Sequence, residues 1–278
     1  MTTVQHAGGI GAPAGGERPL IEQWGPRRQT VGGLRFVATT PMDAVRVVVA
    51  EASRPGRTRG EHIHLANAYS VALSSKDIRL GARAFRGRAW NLPDGKPLGW
   101  VSQSRGHSPR LAQVPGPHFF LDVCRAGTEQ DLRHYLLGGA PEVLATLETQ
   151  LRRLAPGIRI VGAVSPPFRE ATPAELADRD AEIRASGAQV VWVGLGTPKQ
   201  DIEAARIAAS LPIIAIAIGA GFDYTAGTLR HAPGWMSAVG LEWFFRLLME
   251  PRRLWRRYLF GNLRFVGAVL QDLRRTTR

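Results

Sequence analysis

The sequence predicts an α/β protein: a parallel sheet with helices on both faces, followed by a helical appendage at the C-terminus. Three observations predict it. Val190-Val191-Trp192-Val193 and the run Ile213 to Ile218 are apolar at every position, as strands covered on both faces must be. Between them, Gly194-Leu195-Gly196-Thr197-Pro198 turns into a helical period at Asp201, Ala204, Ala205 and Ala208, and such a crossover makes its strands parallel. The same strand, glycine turn and helix-starting proline stand earlier, at His134 to Pro141, so β and α units alternate along one sheet.

Composition bounds the rest. The 278 residues suffice for one large domain. A single cysteine, Cys124, excludes an internal disulfide and a cysteine-built zinc site. A formal charge of +13, from 36 Lys and Arg against 23 Asp and Glu, calls for an acidic partner: nucleic acid, anionic lipid or a phosphate-bearing substrate. No apolar run reaches the length of a membrane span, roughly 18 residues or more.

Residues 1–30 start with a Gly/Ala/Pro-rich stretch that lacks the pattern of a secretory signal, and they read as a disordered leader. Order is expected from Val31, with an α/β domain over 31–236 and a basic amphipathic appendage over 237–278.

In chain order, Gly32 to Pro41 gives a short strand, and Pro41 opens a helix to about Ala52. Ile63 to Ala68 is a strand ending at Asn67, whose side chain either meets a ligand or caps the next helix. Arg86 to Leu92 leads into Pro93-Asp94-Gly95, where the carboxylate is held at a sheet edge or is simply a turn residue. Lys96 to Arg110, basic and glycine-bearing, reads as a mobile loop or lid.

Val114 to Phe120 starts a helix on which His118 either titrates against a phosphate or is solvated. Asp178-Arg179-Asp180 resembles a metal-binding Asp-X-Asp, but it falls within a polar helical run and reads as a solvated face. At the central turn, Thr197 is placed to cap the following helix and Pro198 suits its first turn. Gly194 and Gly196 either admit a phosphate to the backbone N–H groups or only make the turn tight.

After Gly227, residues 229–236 read as a loop, Leu241 to Glu250 as an aromatic helix, and Pro251 onward as another helix. On a helical wheel Arg252, Arg253, Arg256 and Arg257 fall on one half and Leu254, Trp255, Tyr258 and Leu259 on the other. Either the apolar half packs on the body or it lies in a bilayer interface; reversible docking allows both.

Eight segments together carry a family resemblance: LANA (65–68), LPDGKPLGW (92–100), VPGPHFF (114–120), YLLGGAPEV (135–143), PGIRIVGAVSPPF (156–168), VGLGTPKQD (193–201), IGAGFDYTAGTLRHAPGWM (218–236) and GLEWFFRLLMEPRRLWRRYLFGN (240–262). In this order they resemble the WecG/TagA/CpsF glycosyltransferases, family 26. The resemblance implies a Rossmann-like domain whose appendage closes over the active site and touches the membrane. It further implies inverting, metal-independent transfer of a hexose from a UDP-sugar to an acceptor on an undecaprenyl-type diphosphate, for cell-envelope or exopolysaccharide synthesis. The enzyme would sit peripherally on the cytoplasmic face of the plasma membrane.

By position, Asp94 matches the family's general base, Asn67 an asparagine beside the donor sugar, and Gln200 a glutamine that touches sugar or acceptor. Arg246, Arg253 and Arg256 match arginines that neutralise the diphosphates. Gly194, Gly196, Gly219 and Asp223 are assigned to the nucleotide. Leu65 and His118 stand where many members have Thr and Asp, so glucose or glucuronic acid stands beside N-acetylmannosamine and its uronic acid as the transferred sugar. The partners expected are the UDP-sugar, the lipid-linked acceptor and an anionic membrane surface, with no nucleic acid, no cofactor and no metal; a homo-oligomer is admitted.

Two rival classes are weighed. A nicotinamide-dependent oxidoreductase would need G-x-G-x-x-G opening a helix and an acidic residue about 20 positions on, which the chain lacks. A nucleic-acid-binding protein would need its basic residues in a groove, whereas here they alternate with a lipid-like apolar face.

Overall fold

A computed structural model describes residues 20–276; the leader's first nineteen residues lie outside that range. Order begins earlier than Val31. Leu20–Arg27 is a 3-10 helix in which Ile21 and Trp24 are fully buried, and the Trp24 ring meets Trp90 edge-on at 5.8 Å. Two large apolar side chains among the leader's small and polar residues are enough to anchor it.

The chain then forms β1 (Arg28–Val31) and β2 (Leu34–Val37), a hairpin, followed by α1 (Pro41–Ser53). Thr40 caps α1 by accepting from the Asp43 N–H. β3 (Glu61–Ala66), α2 (Ala68–Lys76), α3 (Ile78–Ala84) and β4 (Trp90–Pro93) come next. The expected lid over 96–110 is instead helical in its first half, as α4 (Lys96–Ser104). Pro97 suits its first turn, and Leu98 and Ser102 are buried, with Ser102 donating to the Gln29 Oε1 at 2.7 Å. Packing on the hairpin overrides the glycine and the charges that suggest a loop.

Alternation continues through α5 (Gly116–Gly127), β5 (Arg133–Gly138), α6 (Pro141–Leu154), β6 (Arg159–Val164) and α7 (Pro173–Ala185). β7 (Val190–Gly194), α8 (Lys199–Ser210), β8 (Ile214–Ala217) and α9 (Gly221–Ala226) complete the body. Among the described residues the eight strands form one sheet in the order β1-β2-β4-β3-β8-β7-β5-β6. Only the β1–β2 pair is antiparallel. This is the Rossmann-like sheet expected, and helices cover both faces. α1, α5 and α6 bury Val48, Phe120 and Leu147 on one side, and α7 and α8 bury Ile183 and Ile207 on the other.

The appendage consists of α10 (Gly234–Ala238), within the stretch expected as loop, α11 (Glu242–Met249) and α12 (Pro251–Thr276). α12 lies along α2 and reaches the β1–β2 turn, where Asp272 accepts from the Gly32 N–H at 3.1 Å and pairs with Arg105 at 2.9 Å. The two-sided wheel is only half right. Leu254, Phe265 and Ala268 are buried against the body, while Trp255 and Leu259 from the same half face outward at 43% and 54% exposure. The inward stripe follows Leu254, Gly261, Phe265 and Ala268, a helical period that extends well beyond the eight residues first placed on the wheel.

Candidate active site

Parallel strands put their carboxyl ends on one edge, and ligands of open α/β sheets bind there where the strand order reverses. β4, β3, β8 and β7 are neighbours in that order, with Ala66 opposite Pro93 and His64 opposite Ala217. Asp94, Asn67, Gly219 and the Gly194–Gly196 turn are therefore side by side, within roughly 15 Å at about 4.8 Å per strand.

Asp94 is held by its backbone N–H, which donates to the Ala66 carbonyl at 2.8 Å, and by the Gly116 N–H, which donates to its carboxylate. Burial in the cleft pushes its pKa up to about 7. The Glu242 carboxylate pushes the same way; Arg246, the Gly116 N–H and Arg257 oppose it.

Asn67 does cap α2: its Oδ1 accepts from the Tyr69 N–H at 3.0 Å and the Ser70 N–H at 3.4 Å. Its Nδ2 has no partner among the described residues, so capping and ligand binding are compatible.

Gln200 is buried. Its Oε1 accepts from the Gly196 N–H at 3.0 Å and its Nε2 donates to the Thr197 hydroxyl at 3.4 Å. Thr197 therefore accepts from Gln200 rather than capping α8, whose N-cap position is Pro198. Behind Gln200, Asp201 accepts from His64 at 3.0 Å, and His64 bonds His62 at 2.8 Å. All three are buried, and desolvation pushes His62 down to about 3, so it stays neutral. This network ties α8 to β3 and was not foreseen; two histidines at i, i+2 on a strand facing an Asp in the next helix are its trace in the sequence.

The two turn glycines differ. A Cβ on Gly194 would meet the Phe222 ring at 2.6 Å, so that glycine serves packing. Gly196, at φ +77°, faces open space and leaves room for a ligand. Gly219, also left-handed at φ +66°, lies beside Gln200. Asp223, half-buried in α9, has its pKa raised by desolvation, with Arg253 and Arg246 opposing.

The appendage roofs this edge. Arg246 lies over the Tyr224 ring at 5.8 Å and Arg257 over the Tyr69 ring at 4.3 Å. The Nε of each is buried without a hydrogen-bond partner. Burial lowers the Arg257 pKa, and the positive charges of Arg246 and Arg253 lower it further. Like charges crowded without a counter-ion are arranged for an anion. Of the arginines assigned from sequence, Arg246 reaches the cleft and Arg253 pairs with Glu250 at 2.6 Å while acting on Asp223. Arg256 is exposed over its own neighbour Trp255, at 5.2 Å. Arg257, the residue missed, points inward instead.

His118 and His231 stand 6.0 Å apart at the mouth, with His231 against Tyr224 at 4.7 Å. The Asp178-Arg179-Asp180 segment is a solvated face only in part: Asp178 is exposed, but its two neighbours are engaged. Arg179 donates to Glu203 at 2.8 Å and Asp180 accepts two bonds from Arg206, at 2.8 and 2.7 Å, joining α7 to α8.

A carboxylate held at neutral acidity beneath unpaired guanidiniums, on the ligand edge of a Rossmann-like sheet, is the equipment of a group transferase that handles phosphate esters. The comparisons with known proteins narrow that class to glycosyltransferases. The chain belongs to the Glycosyl transferase WecG/TagA/CpsF family, whose sequence model matches residues 29–278. It is similar to the N-acetylglucosaminyldiphosphoundecaprenol N-acetyl-beta-D-mannosaminyltransferase of Bacillus spizizenii, with 31% identity over 188 residues, covering 67% of this chain and 70% of that protein.

Proposed function

We propose that the protein transfers a hexose from a UDP-sugar to a sugar on a polyprenyl diphosphate, with inversion, and that Asp94 is the general base. The observation that carries this is the meeting of the Asp94 carboxylate with Arg246 and Arg257, two guanidiniums with buried, unpaired Nε atoms. The relative's name supplies the acceptor class, an N-acetylglucosaminyl diphosphoundecaprenol, and N-acetylmannosamine as the first sugar to test.

In this reading Asp94 takes the proton of the acceptor hydroxyl while its oxygen attacks the anomeric carbon. The C–O bond to the nucleotide breaks on the opposite face, and UDP leaves with the electron pair. A base whose acidity lies near 7 is matched to that proton. Arg246 and Arg257 take up the negative charge on the departing diphosphate. Gln200 and Asn67 orient the sugar from the ends of the strands, and the open space at Gly196 receives the nucleotide.

The appendage also suits an anionic membrane surface. Trp235, Leu248, Leu259 and Leu263 are more than half exposed, and Arg252 and Arg256 stand exposed among them. No helix among the described residues is long and apolar enough to cross a membrane, so a peripheral position on the cytoplasmic face fits the lipid-linked acceptor. The test is to offer a panel of UDP-sugars with a short-chain lipid diphosphate acceptor and weigh the product. A mass gain of one hexose derivative is expected; its absence with every donor would refute the proposal.

A further inference from the structure

The appendage meets the body beside the base. Lys96, two residues past Asp94, donates from Nζ to the Ala238 carbonyl. Gly240 lies against α4: a Cβ there would meet the Trp100 ring at 3.0 Å and the Lys96 stem at 3.4 Å. Its φ of +79° is open to glycine at low cost, and it turns the chain into α11, whose first residue is Glu242. Glu242 and Arg246, at i and i+4, share one helix face. Both are half-buried, whereas Trp243 and Phe244 between them are exposed. The face bearing Glu242 and Arg246 is therefore the one turned into the cleft.

We propose that Glu242 is a positioning residue for the base. The docked appendage puts the Glu242 carboxylate on the same wall of the cleft as Asp94, where it keeps Asp94 a stronger proton acceptor than Arg246 and Arg257 alone would leave it. This deepens the function proposed above and rests on Asp94 being the base.

Three groups of the cleft feel Glu242: Asp94, Tyr224 and His231. Two carboxylates on one wall cannot both ionise freely, so Asp94 holds its proton more firmly. The other groups acting on Asp94 are Arg246 from α11, Arg257 from α12, Tyr224 from α9 and the Gly116 N–H from α5. His231 and His118 lie at the mouth beyond Tyr224. Lys96 is engaged with Ala238. Glu242 is the carboxylate that acts on Asp94 from the appendage, against Arg246 and Arg257 from the same appendage, so removing its charge alone lets Asp94 fall back toward an ordinary, weakly basic carboxylate. The competing role for an acidic residue in a first turn is to offset the helix dipole, which affects stability and not the base.

The experiment is the pH dependence of kcat for the full chain, at saturating UDP-sugar and short-chain acceptor, with Tm measured in parallel. Wild type, Glu242→Gln, Glu242→Asp and Asp94→Asn are compared. For Glu242→Gln the acid limb is expected to move about one unit lower. At a pH well below the wild-type limb, the variant then retains roughly tenfold more of its plateau rate than wild type does. The plateau itself should fall several-fold, because a weaker base remains. Glu242→Asp should keep the limb near its wild-type position, and the donor KM should stay within about twofold throughout.

An acid limb that does not move in Glu242→Gln, whatever the plateau or Tm, overturns the inference. So does a Glu242→Gln variant as inactive as Asp94→Asn at every pH. If Asp94→Asn itself keeps its activity and its limb, it is the assignment of the base that fails. An inactive Asp94→Asn beside an unmoved Glu242→Gln limb rejects only the role given to Glu242.

Discussion

The body and the appendage are both built from apolar and basic residues, yet the body buries most of its large apolar side chains and the appendage leaves most of its own exposed, although Phe168 of the body is exposed and Arg57 of the body also has unpartnered buried nitrogens. In the body Trp24, Trp192, Tyr135 and Phe120 are fully buried, and Arg206 is matched to Asp180 and Glu203. In the appendage Trp235 is 65% exposed and Leu263 also 65%, while Arg246 and Arg257 have buried Nε atoms with no partner. The body spends its sequence on one stable arrangement. The appendage keeps apolar surface and positive charge unsatisfied, which is what the proposed function asks of a part that meets lipid and diphosphate.

The sharpest way to break that contrast lies at the point where the two regions meet. Asp94→Asn should lower kcat by about 100-fold to 10,000-fold, the span of general base catalysis. It should also raise stability at pH 8. A carboxyl whose acidity is lifted from 3.8 to about 7 favours the folded state most below pH 3.8, and that advantage is lost as pH rises through 7. Above pH 7 the ionised group is a net cost, at most about 4 kcal/mol. A Tm at pH 8 that falls in the variant would show that the carboxylate supports the fold instead.

Next in size is a pair of leucines. Leu136→Ala, in the buried strand β5, should cost about 2–5 kcal/mol in chemical denaturation, whereas Leu263→Ala on the outer face of α12 should stay within about 0.5 kcal/mol. The second variant should lose binding to anionic vesicles in a flotation assay. Equal costs for the two would erase the distinction between the regions.

Glycines give the smallest effects and opposite signs. Gly194→Ala drives a methyl into the Phe222 ring and should destabilise by about 1–3 kcal/mol. Gly267→Ala, in α12 with nothing within 4 Å of the added carbon, should stabilise by up to about 1 kcal/mol. Thermal melts of the two suffice to check the signs.

Much of the body is legible in the sequence because burial on both faces leaves uninterrupted apolar runs, as at β7 and β8, and because Gly-Pro punctuation marks each strand-to-helix turn. α4 is not, since Gly99 and the basic residues around it mask a helix that only packing on the β1–β2 hairpin stabilises. The 3-10 helix at Leu20 is hidden for a similar reason: two anchors, Ile21 and Trp24, carry it without any period. In the site, Asp94 and Asn67 gather as their strand-end positions predict, and Gln200 joins that edge from the first turn of α8. The orientation of the arginines is another matter. Which side of α12 faces the body depends on Phe265 and Ala268, far from Arg256 and Arg257; a short wheel puts both arginines on one half, and the family match that selects Arg256 does not show that the fold turns Arg257 inward. Glu242 leaves no pattern, because its place at the cleft depends on the docking of Gly240 on Trp100.

The central claim is that the two unpaired guanidiniums of the appendage serve chemistry and not folding. The direct measurement is kcat and Tm of the Arg246→Ala/Arg257→Ala double variant at pH 8, with UDP-sugar and a short-chain acceptor. Charge-assisted hydrogen bonds contribute about 1.5–3 kcal/mol each, so kcat should fall at least about 100-fold while Tm stays level or rises. A double variant that turns over at the wild-type rate, or that loses rate only because it unfolds, would contradict the account.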